Sequence, residues 1–146
     1  MKNYRQAAFA LLRVTLGSIF LTTGVVKFVF GVGNFAAGLQ QQFADKLPMF
    51  IVTPFAYALP IAEVIVGLLL VVGLFTEMAL VLSGVLLLIL TFGRVVTNDS
   101  ATVAHNLSYA FINFMLLWLA EYNGYSIDRY RRTNRPSIVF APLDTK

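Results

Sequence analysis

The sequence predicts an all-α membrane protein: a bundle of four transmembrane helices with an interfacial amphipathic helix between spans 1 and 2. Three observations point there. The 146 residues are 58% hydrophobic and only 12% charged, whereas a soluble domain carries about 25% charged residues. The mean hydropathy is +0.77. Four apolar runs of spanning length, about 7–30, 54–75, 78–96 and 101–122, are separated by turn signals and followed by a basic tail over 123–146. At this length the expectation is a single domain, 1–146.

The first run follows a basic start, Lys2 to Arg5, and is too long for a signal peptide. Within it Arg13, Gly17, Phe20, Gly24, Lys27 and Gly31 recur at spacings of four and three, a single stripe on one helix face. Glycines on a membrane helix mark close packing, so the stripe is expected to face protein. In the long connector, Phe35, Leu39, Phe43 and Leu47 repeat every fourth residue opposite Gln41, Gln42 and Asp45, with Asn34 as a candidate cap and Pro48 as a stop. That pattern reads as an amphipathic helix lying at the interface.

The second run carries Glu63. An ionisable group inside a spanning helix is costly without a partner, so it is a functional-site expectation. Pro60, Glu63 and Gly67 share a face. A tight turn through Gly73 and Leu74 leads into the third run, which closes on Arg94. Thr97, Asn98, Asp99 and Ser100 form a turn and cap the fourth, which carries His105, Asn106, Tyr109 and Asn113. Asn113, near mid-span, reads as an interhelical hydrogen-bonding residue.

Four spans place both termini on one side. Lys2, Arg5, Arg129, Arg131, Arg132 and Arg135 make that side cytoplasmic, and a multi-pass membrane protein is expected. Membrane lipids and a protein partner or second copy are the expected partners. The net charge of +4, held mainly at the two ends, suits a lipid surface rather than nucleic acid. The absence of cysteine excludes thiol–disulfide chemistry, Cys-ligated zinc and iron–sulfur clusters in this chain. One histidine cannot supply two axial ligands to a haem, and no metal site is evident.

At about 1.5 Å per helical residue, Lys27, Glu63, Arg94 and His105 all fall in the outer half of the bilayer, one from each span. The expectation is a shared polar pocket. Lys27, Arg94, Asn106 and Tyr109 would bind a ligand with carbonyl or phenolate oxygens. Glu63 and His105 would be the catalytic, proton-relaying pair. The competing readings are snorkelling for Lys27 and Arg94, a register-fixing ion pair for Glu63 and simple packing for His105. At the other end Arg13 is expected to pair with Glu121, in a region that also holds Glu77.

The patterns Arg13-x-x-x-Gly17-x-x-Phe20-x-x-x-Gly24-x-x-Lys27, Glu63-x-x-x-Gly67 through Gly73-Leu74-x-Thr76, and Gly124-Tyr125-Ser126-Ile127-Asp128 resemble the DoxX/DoxD-like family of four-span bacterial membrane proteins. The resemblance implies a quinone-facing membrane subunit of an oxidoreductase complex, with quinone as its expected cofactor. The alternative is a non-enzymatic membrane anchor or assembly factor. A small-solute transporter ranks third, because broken helices and inverted repeats are not apparent. The sequence leaves open whether the chain is itself an enzyme.

Overall fold

The computed structural model describes residues 2–133. Arg135 and the tail beyond 133 lie outside the described residues. Six helices follow in order: α1 (Lys2–Val29), α2 (Val32–Phe43), α3 (Met49–Val72), α4 (Thr76–Val96), α5 (Ser100–Trp118) and α6 (Ile127–Thr133), with a short 3₁₀ turn, Ala120–Tyr122, between the last two. Among the described residues there is no strand.

Helices α1, α3, α4 and α5 form a square bundle in which α1 packs on α3, α3 on α4, α4 on α5 and α5 on α1. The glycine stripe faces α3. A Cβ on Gly24 would come within 2.7 Å of Val64 Cγ2 and 2.9 Å of Val64 N, and Gly17 and Gly67 are equally crowded by the opposite helix. The two backbones therefore run antiparallel in direct contact, which only residues without a side chain permit. Leu16, Phe20, Val66, Leu70, Leu80, Leu87 and Leu116 close the core between all four helices.

Three helices are long and apolar enough to cross a membrane: Tyr4–Val29, Met49–Val72 and Thr76–Val96. The protein is a membrane protein on that ground. Helix α5 is not among them. Its mean hydropathy is lowered by polar residues, of which Asn106 and Asn113 point inward, while Leu107, Phe111, Phe114 and Trp118 are exposed on its outer face.

The element boundaries differ from the sequence expectation at several places. Helix α3 starts at Met49 and carries Pro54 and Pro60 inside it. Pro48 serves as its N-cap and so opens a helix rather than stopping one. Gly31, with φ 92°, breaks the chain before α2. Asn34 does not cap α2; its amide reaches back to donate to the Phe30 carbonyl at 3.0 Å. The fourth run ends at Trp118, and α6 forms inside the stretch read as the polar, basic tail.

The α3–α4 turn rests on Gly73, whose left-handed backbone (φ 73°) lets the amides of Gly73 and Leu74 both donate to the Leu69 carbonyl at 2.9 and 3.0 Å. Phe75 is also left-handed, at φ 48°. That conformation costs a non-glycine residue about 1–2 kcal/mol. The α4–α5 turn uses Asn98 (φ 64°), a residue type that tolerates it, and Asp99 caps α5 by accepting from the Thr102 amide at 3.1 Å.

Candidate functional site

At the end of the bundle away from the described termini, the four packed helices each contribute to one cleft of about 330 Å³. It is lined by Thr23, Val26 and Lys27 of α1, Glu63 of α3, Leu90 and Arg94 of α4, and Thr102 and Asn106 of α5. The volume lies at the lower end of the roughly 300–1,000 Å³ typical of small-molecule pockets.

Glu63 is buried, with a side-chain exposure of 3%, and Lys27 is 19% exposed. The Lys27 ammonium donates to both carboxylate oxygens, at 2.6 Å to Oε1 and 2.5 Å to Oε2. Helix geometry sets this up: Lys27 is one turn beyond Gly24, and the close α1–α3 approach there brings its short reach to Glu63. The Phe35 ring of α2 lies 4.9 Å from the Lys27 ammonium, a cation–π contact that partly roofs the pair. The amphipathic stripe of α2 faces the bundle, with Phe43 buried and reaching Gly93 of α4, while Gln41, Gln42 and Asp45 are exposed. Gln40 ties α2 to α3 by donating to Thr53 at 3.0 Å.

Arg94 stands at the rim. Its guanidinium donates to Asp99 Oδ2 at 3.5 Å, with side-chain exposures of 36% and 33%. Asp99 is held more firmly by α5, since the Thr102 hydroxyl donates to the same oxygen at 2.6 Å. These Thr102 hydrogen bonds, with a smaller contribution from Arg94, keep the Asp99 carboxyl below the usual carboxylate range. Asp99 as the partner of Arg94 was not anticipated from the sequence, although its place five residues on, at the start of a helix, is the signal that finds it.

Of the expected site residues, the structure brings Lys27, Glu63, Arg94 and Asn106 together and leaves two apart. His105 is exposed and does not line the cleft. Successive helix residues are turned by about 100°, so the inward placement of Asn106 carries His105 outward. Tyr109 packs, half-buried, against the hydrophobic core and is likewise outside the cleft lining.

Arg13 does not pair with Glu121. Glu121 and Glu77 are exposed, whereas Arg13 is buried (3% exposed) and donates from Nη2 to the Tyr125 carbonyl at 2.8 Å. The acid whose charge acts on it is Asp128. The same carboxylate accepts from the Phe75 amide (2.8 Å), the Thr76 amide (2.8 Å) and the Thr76 hydroxyl (2.9 Å), capping α4 from a distant part of the chain. The Asp128 amide donates back to the Gly73 carbonyl at 3.2 Å. Asn123 adds a bond to the Thr76 hydroxyl at 2.9 Å, and Arg5 donates to the Tyr122 hydroxyl at 2.9 Å. Arg13 Nε and Nη1 and Asn123 Oδ1 are buried without a hydrogen-bond partner among the described residues.

Residues 5–106 match a protein family described as methylamine utilisation protein MauE. The match spans more than half of the chain. The chain belongs to the MauE family. No curated protein and no solved structure matches it.

Membership in the MauE family overturns the resemblance to the DoxX/DoxD-like family. The residues that carried that resemblance have structural duties: Gly17, Gly24 and Gly67 let two helices touch, Gly73 makes a left-handed turn, and Asp128 caps α4. Requirements of that kind belong to helix packing and are not confined to one family. All four cleft residues from the expected site lie within or at the end of the stretch that matches the MauE family, Asn106 being its last residue.

Proposed function

We propose that this chain is a four-span membrane component of a methylamine-utilising system, and that it binds quinone or a similar amphipathic ligand in the cleft at the far end of the bundle. The MauE family description supports the first part. The single observation behind the second is convergence: α1, α3, α4 and α5 each place a polar or charged residue around the same 330 Å³. Arg94 and Asn106 would donate to a ligand oxygen, and Val26 and Leu90 supply apolar wall, which fits one polar ring edge with a tail. Quinone would supply two-electron chemistry when bound. This chain's part is to orient it and to keep water out, with electrons coming from a partner subunit.

The fourth span in this reading is α5, whose outer face of Leu107, Phe111, Phe114 and Trp118 is apolar while Asn106 and Asn113 are turned into the bundle. Helix α2 lies at the interface, and the whole of 1–146 is one domain of the bacterial inner membrane with both termini cytoplasmic. Purified protein should yield quinone on solvent extraction, or bind added decylubiquinone; a preparation that does neither rules the ligand reading out.

One observation favours a second reading, a non-catalytic anchor or assembly factor. Both oxygens of Glu63 are already engaged by Lys27, which leaves no free base. If a folded Glu63→Gln variant loses only assembly of the partner complex, the second reading holds; if assembly is intact and electron transfer is abolished, it fails.

A further inference from the structure

Resting on the ligand reading above, we infer that Arg94 is the residue that selects the ligand, and that it selects an oxygen head, anionic or strongly polarised, carried on an apolar body. Charge within the cleft decides this. Lys27 and Glu63 neutralise each other at 2.5 Å, so neither offers an uncommitted charge. Arg94 carries five N–H donors in a planar fork, and among the described residues it is committed to one bond, to Asp99 at 3.5 Å, the outer limit of a hydrogen bond. Both Asp99 oxygens are meanwhile engaged by Thr102, Oδ1 by the amide and Oδ2 by the hydroxyl. The Arg94 positive charge is therefore only partly spent.

The lining sets apolar side chains beside polar ones. Arg94 lies at the rim, and Leu90, one turn deeper on the same face of α4, lies below it. On α5, Thr102 at the rim is followed one turn deeper by Asn106, which is 9% exposed and projects an amide into the cleft. Val26 of α1 is half-exposed on the wall. An oxygen head at Arg94 thus leaves its apolar body between Leu90 and Val26. A quinone carbonyl and the phosphate of an acidic lipid share this chemistry.

Asp99 competes with the head for Arg94, and this gives the proposal an unusual sign. Asp99→Asn retains a side-chain oxygen for the α5 cap and removes the competing charge, so it should bind ligand about two- to fivefold more tightly, the size of a partly exposed ion pair. Arg94→Gln should weaken binding by about tenfold, the worth of one charge-assisted hydrogen bond. Arg94→Lys, which keeps the charge and loses the fork, should fall between.

The test measures binding of decylubiquinone and, separately, of dioctanoylphosphatidic acid to the full chain in detergent, for the wild type and the three variants, with helicity and monodispersity as folding checks. Binding of either probe with the expected order of affinities supports the proposal, and the probe that binds identifies the source of the head. If the wild type binds a probe and Arg94→Gln binds it equally well, the selection by Arg94 is wrong while the cleft reading survives. Wild type that binds neither probe overturns both. Tighter binding by Asp99→Asn is the outcome that a purely structural Arg94–Asp99 pair would not give.

Discussion

The two ends of this bundle use similar residues to opposite effect. At the end near the described termini, Arg13 and Asp128 are directed at backbone: Asp128 holds two amides and Arg13 reaches a carbonyl, while the Thr76 hydroxyl links Asn123 to Asp128. Their polar atoms fasten α6 and the α3–α4 turn to α1. At the other end Lys27, Glu63, Arg94 and Asn106 bond side chain to side chain or converge on an open cleft. Polar groups spent on backbone determine where a chain goes. Those left around a space can meet something that is not part of the chain.

Loss of Glu63 should have the largest effect. Glu63→Ala leaves the Lys27 ammonium without its partner in a mostly buried setting, with an expected cost of about 3 kcal/mol. The double variant Lys27→Met, Glu63→Leu should regain most of it, because neither charge then needs solvating. Thermal unfolding of detergent-solubilised protein measures both. A double variant as unstable as the single one would mean that the pair contributes more than mutual neutralisation.

Next comes Asp128. Asp128→Ala removes the cap of α4 and the bond that holds Phe75 in its left-handed conformation, and should cost about 2 kcal/mol. Ligand binding at the far cleft should be unchanged. Altered binding in a folded Asp128→Ala protein would show that the two ends are coupled, and would break the contrast drawn above.

The smallest effect is that of acid on Asp99. Its folded-state pKa is depressed by the Thr102 hydrogen bonds, so its contribution is fully present above the unfolded carboxylate value of about 3.9. It is lost as the pH falls through the lower, folded value. A shallow loss of thermal stability below about pH 4 should therefore flatten in Asp99→Asn.

Residue type and spacing carried much of this architecture. The apolar runs, the glycine stripe and the amphipathic repeat of α2 could be read directly because local periodicity specifies a helix and the face it buries. Lys27, Glu63, Arg94 and Asn106 were legible as one cluster because, once the chain doubles back at each turn, helix rise alone sets their depth. Depth is only one coordinate, however. His105 sits at the right level and points outward, a matter of rotation about α5 that the packing of Asn106 and Asn113 into the bundle decides. The partners of Arg13 and Thr76 lie 112 and 52 residues away. Periodicity carries no information across such separations, so whether Asp128 or Glu121 would meet that end of the bundle was settled only when the 3₁₀ turn and α6 folded back over it.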